Sequence, residues 1–392
     1  MTAKRTVVIW DRLGEYHHAR LSEASRQLPL AAIEVFKRDN TYAWGFARAR
    51  EGYSVKTLAE DPKLTNIELR ERMARALTTL NAQIVAVPGW SEPYSLFAIE
   101  WAHQNNARVV IMSDSNWFDA PRNALAERAK RAVVAHSGAG LTAGRHSQAY
   151  LERLGLNKTR IELGYDVVDN QHFSRPENKP RPGELGAQRF LAVARFISRK
   201  NLDGLINAYE RYRSLVVNDE AAWPLMLVGD GVEREVLKGL VASAGLNDKV
   251  IFTGFREYNE MPELYHASGA LILPSHVEQW GLVVNEAMAA GLPVLVSKNA
   301  GAAGDLVHKG ENGACFAPKD FNGLAKLMTQ LSSSNSFAAQ MGAASAQIIE
   351  NWGLQRFATG LKNAARIAEK APARVSYADR LIFKSLLAKS TR

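Results

Sequence analysis

The chain has 392 residues, 46% hydrophobic and 23% charged, with a formal net charge of +9 at pH 7. That length suggests two or three domains of ordinary size, and that balance a soluble globular protein with apolar material for two cores. Cys315 is the one cysteine, which excludes an intramolecular disulfide framework and fits a reducing cytoplasm.

The apolar run at the N-terminus is too short for a signal peptide and is expected to be a first strand; no stretch reaches the length of a membrane-spanning helix. Over half of the positive charge lies at the other end, where residues 366–392 carry seven basic side chains against two acids, a net +5. Such a balance suits nucleic acid, an anionic membrane surface or phosphorylated substrates. No zinc-finger, basic-zipper or RNA-recognition pattern occurs, so nucleic acid is not an expected partner.

In chain order, the expected strands of the first half are Thr6–Trp10, Ile84–Val87, Arg108–Met112, Ala132–Ala135 and Arg160–Leu163. Amphipathic helical stretches alternate with them, the pattern of a parallel α/β sheet. Gly14 opens the first helix, and a glycine there lets backbone N–H groups approach a phosphate closely. His17 and His18, on the first turns, are read as surface residues, with a cleft-facing role as the alternative. Ser174–Gly183 has three prolines in ten residues and almost no apolar side chains, so it is expected to be a linker. The pattern then restarts with Phe190–Ala194, Leu225–Val228, Val250–Thr253, Ala270–Pro274 and Val294–Ser297. Two doubly wound domains are expected, 1–180 and 186–365, followed by a basic, helical tail at 366–392. Helix is expected from about Phe337 onward, broken near Pro372. The segment Tyr377–Lys389 forms a short cationic amphipathic helix, which suits either packing on the protein with a solvated basic face or lying on a membrane surface.

The segment Ser275–Val296 concentrates the chemistry. Glu278 follows an apolar strand on a loop, Gly281 opens a helix, Glu286 lies inside it, and Gly-Leu-Pro closes it. In open α/β sheets ligands bind at that carboxyl edge. The helix start offers N–H groups and a positive dipole end to a phosphate. Carboxylates on either side can accept hydrogen bonds from sugar hydroxyls. Arg195 and Lys200, after the first strand of the second half, project toward the same edge, where two cations can hold a diphosphate. The local chemistry is that of a sugar attached to a phosphate.

Glu278 and Glu286, with the surrounding Gln-Trp-Gly-Leu-Val-Val-Asn and Ala-Met-Ala-Ala-Gly-Leu-Pro-Val, resemble the Glu-x7-Glu signature of retaining glycosyltransferases of family 4, the group 1 glycosyl transferases. Arg195 and Lys200 resemble that family's diphosphate-binding pair, and Gly229-Asp-Gly231 its Gly-x-Gly turn. Val168, Asp169 and Phe173 match the family's Val-Asp-x-x-x-Phe; Asp166 and Val167 stand where Asn and Gly are usual.

The resemblance implies the GT-B fold: two Rossmann-like domains facing a central cleft, with a C-terminal helix, here within Trp352–Ala368, crossing back to the first domain. It implies transfer of a sugar from a nucleotide diphosphate sugar to a hydroxyl of a glycan or lipid-linked acceptor, as in cell-surface polysaccharide assembly, with no metal or other cofactor. On this reading the donor meets Gly14, Arg195, Lys200, Phe255, Glu278, Gly281, Leu282, Val283 and Glu286, with Glu286 on the ribose hydroxyls and Glu278 on the sugar. Phe255 or Arg256 stands where the family's loop borders the base, a plain loop being the equal alternative.

Ser113, Asp114 and Trp117 would form the acceptor edge. The family often has a histidine at the end of this strand, which is missing here; Asp114 would accept a hydrogen bond or orient the acceptor hydroxyl, and Trp117 would stack on a sugar. An N-cap followed by a core aromatic is the alternative for these two. Catalytic roles are thus assigned to Glu278, Asp114, Arg195 and Lys200. The expected place is cytoplasmic, with peripheral contact at the inner membrane face through the basic tail. A nicotinamide-dependent oxidoreductase and a non-catalytic sugar-nucleotide sensor are the rival readings; the first lacks Gly-x-Gly-x-x-Gly after the first strand.

Overall fold

The computed structural model describes residues 4–38, 51–176, 188–218 and 222–391; most of the expected linker lies outside these. The chain divides into two compact units, Met1–Val167 with Leu354–Arg392, and Val168–Gly353.

Among the described residues the first unit holds a parallel seven-stranded sheet. Its strands are β1 (Thr6–Trp10), β2 (Leu30–Phe36), β3 (Ser54–Ala59), β4 (Ile84–Pro88), β5 (Arg108–Ser113), β6 (Ala139–Thr142) and β7 (Ile161–Leu163), in the order β3-β2-β1-β4-β5-β6-β7. The second unit holds six parallel strands, β8 (Phe190–Val193), β9 (Leu225–Val228), β10 (Val250–Gly254), β11 (Ala270–Leu273), β12 (Val294–Ser297) and β13 (Gly313–Phe316), in the order β10-β9-β8-β11-β12-β13. In both sheets the first strand sits where the winding reverses, the place where α/β sheets open a crevice at the strand ends. Side chains alternate across the first sheet: Val7 and Ile9 enter one core layer, Val8 and Trp10 the other.

Three differences from the expected elements have physical causes. Ala132–Ala135 is no strand. Its residues end the helix Ala124–Val134, which Asn123 caps by accepting from the N–H groups of Leu125 and Ala126. The apolar Ala-Val-Val is the buried last turn of that amphipathic helix, and the strand follows at Ala139. Strands β2, β3 and β13 were not expected; β3 is an edge strand in which polar and apolar side chains are equal in number and Leu58 alone is buried. The unit boundaries fall at 167/168 and 353/354 rather than near 180/186 and 365/366. Helix Asn170–Phe173 packs on helix Leu282–Ala289, so the second unit begins before the linker. Helix Leu354–Lys370 lays Phe357, Leu361, Ala364 and Ala368 among core residues of the first sheet such as Val8 and Val110, so the chain returns to the first unit there.

The tail is the helix Tyr377–Ser390. It buries Phe383 and Leu387 in the first unit's core and pairs Asp379 with Arg128 at 2.6 Å. Among the described residues no helix is long and apolar enough to cross a membrane.

Candidate active site

In the second unit, β8 and β11 are neighbours, so the loops leaving their carboxyl ends meet. Asn201 joins them. It is buried, adopts the left-handed conformation (φ 53°), and its Nδ2 donates to the carbonyls of Pro274 and Pro318, both at 2.9 Å. The backbone N–H of His276 donates to the Arg199 carbonyl at 2.9 Å. These bonds bring Lys200 against Glu278, where Lys200 Nζ forms an ion pair with Glu278 Oε2. Ser275 Oγ also donates to that oxygen, at 3.3 Å. The Glu278 backbone is fixed on both sides: its N–H donates to Asn299 and its carbonyl accepts from Gly301. Gly301 has no room for a Cβ, which would fall 1.8 Å from the Gln279 carbonyl.

Gly281 turns the chain at φ 103° into the helix Leu282–Ala289; the N–H groups of Leu282 and Val283 open its first turn, where a helix has no acceptor of its own to offer. One turn on, Glu286 is buried and accepts from Tyr265 Oη at 2.6 Å. Trp280 is held by Asn285 (2.9 Å) and stacked on Trp352, 5.3 Å between centroids.

Arg195 is exposed just past β8. Its loop is packed beneath the turn after β9, where a Cβ on Gly229 would lie 1.9 Å from the Ala194 carbonyl and one on Gly231 2.4 Å from the Phe196 carbonyl. Glycine is required at both positions by this approach and by positive φ. Phe255, on the loop after β10, is 40% exposed and offers a ring face; Arg256 beside it pairs with Glu260 at 3.2 Å. The second unit therefore brings Lys200, Glu278, Gly281, Leu282, Val283 and Glu286 to one strand edge, with Arg195 and Phe255 on loops of the same edge.

In the first unit the Gly14 loop differs from the expected phosphate cradle. The Gly14 N–H donates to His17 Nδ1 at 3.1 Å, and the Leu13 N–H to Glu34 Oε1 at 3.0 Å. Both amides are engaged by the protein, and Gly14 is extended at φ −100°. His17 is half-buried rather than fully exposed. Burial first, then the charges of Arg20 and of His18, hold its pKa down to about 3, so the ring is neutral and free to accept at Nδ1. His18 is buried on Tyr53 Oη at 2.6 Å.

Ser113 ends β5 buried, its Oγ accepting from the Ser115 N–H at 3.2 Å. Asp114 lies partly exposed at that edge, close enough for its charge to help raise the Tyr165 pKa, after burial and Asp166. Trp117 is packed against the core, with the guanidinium of Arg153 at 4.5 Å and that of Arg122 at 5.4 Å from its ring. The ring is half-buried beside these two cations.

Tyr265, Asn201 and Ser275 were not singled out from sequence. Asn201 carried a signal, an Asn directly before a helix; Tyr265 carried none, since its partner lies far along the chain. Among the described residues, no group of three or more His, Cys, Asp or Glu side chains comes together in a way that could hold a metal ion.

The chain is thus a two-sheet α/β protein with these side chains gathered at the switch point of its second sheet. Residues 174–348 match the family described as "Glycosyl transferases group 1". A glycogen synthase of Mycobacterium tuberculosis is 30% identical over 174 residues, 44% of this chain and 40% of the relative. A D-inositol 3-phosphate glycosyltransferase of Rhodococcus opacus is 27% identical over 263 residues, 64% of this chain and 58% of the relative. The chain thus spans about 40% to 58% of the length of these curated relatives. Among solved structures, the Anabaena protein HepE in complex with UDP aligns over 94% of this chain and 99% of its own, with a TM-score of 0.71 at 16% identity. A sucrose-phosphate synthase of Thermosynechococcus elongatus aligns over 91% and 97%, with a TM-score of 0.72 at 18% identity. The chain has the two-domain GT-B fold of these proteins.

Proposed function

We propose that the chain transfers a sugar from a nucleoside diphosphate sugar to a hydroxyl acceptor, with retention of configuration and without a metal. The observation that carries this reading is the Lys200–Glu278 ion pair beside the start of helix Leu282–Ala289, with buried Glu286 one turn on. Arg195, Lys200 and the amides of Gly281, Leu282 and Val283 would hold the diphosphate and stabilise its growing charge as the anomeric C–O bond breaks. Glu286 would accept from the ribose hydroxyls, and Glu278 from hydroxyls of the sugar. The acceptor oxygen would attack from the leaving-group face, its proton passing to the departing phosphate oxygen. Glu278, already accepting from Lys200 and Ser275, is a hydroxyl acceptor rather than a nucleophile, which favours this route over a covalent intermediate. Two protein cations and a helix start supply the charge that a metal would otherwise bring. Asp114 is the residue we assign to orient the acceptor hydroxyl. The match within group 1 argues against a nicotinamide-dependent oxidoreductase.

Structures with UDP and UDP-glucose are known for HepE, and one with UDP-2-fluoro glucose for a trehalose-6-phosphate protein of E. coli, so uridine donors are the first to test. A melting-temperature screen with UDP, GDP and ADP, with and without chelator, tests donor binding. The anomeric configuration of the product by NMR tests retention. No shift with any nucleotide would sink the proposal, and a shift lost on chelation would remove metal independence. A glycan or lipid-linked acceptor in cell-surface polysaccharide assembly is the acceptor class we favour. Tyr377 and Leu381 are exposed on the tail helix beside exposed Arg374, Arg380 and Lys384, which supports peripheral contact with an anionic membrane. Co-sedimentation with anionic but not neutral vesicles is the expected result.

A further inference from the structure

We propose that Tyr265 is a positioning residue for Glu286 and makes the donor site select ribonucleotides over 2′-deoxyribonucleotides; this rests on the donor reading above. Tyr265 is fully buried, and its hydroxyl donates to Glu286 Oε2 at 2.6 Å. A hydroxyl bonded to a carboxylate is a short, charge-assisted contact, and it fixes the plane of the carboxylate. The carboxylate is then held in one orientation. Two neighbouring ribose hydroxyls are donors at a fixed spacing, and only a carboxylate held in one plane meets both.

The ring that carries the hydroxyl is itself immobilised. Phe173, fully buried, packs edge-on against it, 5.9 Å between centroids. The segment holding Phe173 is clamped to the helix Met261–His266 and to the turn before it. His266 Nε2–H donates to the Phe173 carbonyl at 3.0 Å, and His172 Nε2–H to the Tyr258 carbonyl at 3.2 Å. The His172 ring stacks on Tyr258 at 4.1 Å and 6°. Behind the segment, Asn170 Nδ2 donates to the Ile349 carbonyl at 2.8 Å. The Asp169–Phe173 stretch thus gains a role: it backs the tyrosine that orients the ribose-binding acid.

The test compares dissociation constants by calorimetry for UDP, GDP and ADP and for their 2′-deoxy forms, on the full chain, using the base that binds best. Wild type should prefer the ribose form. Tyr265→Phe keeps the ring in place and should lose about tenfold of that preference, the worth of one hydrogen bond to a charged group. Glu286→Ala should abolish it. If Tyr265→Phe fails to fold, the same ratio is read in Phe173→Leu, which loosens the ring and should lower the preference by a smaller factor. A wild-type preference that survives Tyr265→Phe but not Glu286→Ala overturns this inference and leaves the donor reading standing. Binding of none of the nucleotides, or a preference unchanged in Glu286→Ala, removes the donor reading and this inference with it. A purely structural tyrosine would lower stability and leave the ribose-to-deoxyribose ratio unchanged.

Discussion

Replacing Asn201 by alanine would part the two loops that carry Lys200 and Glu278. The side chain is 2% exposed, and its Nδ2 satisfies two buried carbonyls, those of Pro274 and Pro318. Leaving each of them without a donor costs about 1–3 kcal/mol. Alanine in the left-handed region at φ 53° adds about 1–2 kcal/mol. Some of the first loss is recovered as water enters, so the net expectation is about 3–5 kcal/mol, or about 10 °C in melting temperature for a unit of this size. Asn201→Gly separates the causes: it loses the same two bonds but adopts positive φ freely, and should be more stable than the alanine variant by about 1–2 kcal/mol. Urea or thermal unfolding measures both. The stabilisation by bound nucleotide should fall in both variants, because Lys200 is the adjacent residue. Alanine within about 0.5 kcal/mol of wild type, the range of ordinary surface changes, would refute the assignment of Asn201 as the tie between the loops.

Gly229→Ala places a Cβ 1.9 Å from the Ala194 carbonyl, so the Arg195 loop must shift; stability should fall by more than about 2 kcal/mol and nucleotide affinity with it. Unchanged calorimetric binding would sever that turn from Arg195. Lys200→Met leaves Glu278, whose side chain is 11% exposed, without its cation, and should cost about 3–5 kcal/mol. Adding Glu278→Gln should restore most of the stability and none of the turnover; recovered turnover would remove both residues from the chemistry. Acid should destabilise the first unit through His136, which is 7% exposed and bonded to His103 at 2.8 Å. Burial first, then the His103 charge, lowers its pKa from 6.5 to about 4, with Asp379 opposing and Arg380 adding. The unfolded chain takes up the proton near 6.5 and the folded chain does not, so stability is present above that pH and is lost as pH falls toward 4. Near pH 5 the loss is about 2 kcal/mol, and His136→Asn should remove it from the urea-unfolding difference between neutral and acid pH. An equal acid loss in that variant would refute the attribution.

Much of the second unit could be read from sequence because its strands are short apolar runs bordered by Gly or Pro, buried on both faces, as Ala270–Leu273 and Val294–Ser297 show. The Glu278–Glu286 segment was legible because strand, loop, glycine and helix follow one another locally. What joins Lys200 to Glu278 was not: the pairing depends on β8 lying beside β11, a matter of sheet order. Tyr265 was invisible for the same reason. The first unit misled where local chemistry had two solutions. Gly14 resembled a phosphate cradle, yet a histidine three residues on supplies the acceptor that a phosphate would. Ala132–Ala135 had the composition of a strand, and only the capping Asn123 and the basic residues spaced through the preceding turns make it the end of a helix.

The Lys200–Glu278 pair also bears on how such a site can be ready without a ligand. Two opposite charges, with side chains 14% and 11% exposed, would each be costly alone in that setting. Paired, they hold each other in one orientation beside the helix start. A lysine has three N–H donors and Glu278 uses one of them. A phosphate oxygen can therefore join the ammonium without displacing the carboxylate, while Glu278 keeps lone pairs for a sugar hydroxyl. Binding would then add an anion to a cation already desolvated and aimed, so little reorganisation remains at the moment the leaving group gains charge, the condition under which fixed charges lower a barrier most. An isolated lysine on a mobile loop would have to be ordered and stripped of water first, which is why the tie through Asn201, rather than the charge alone, decides how well this edge can work.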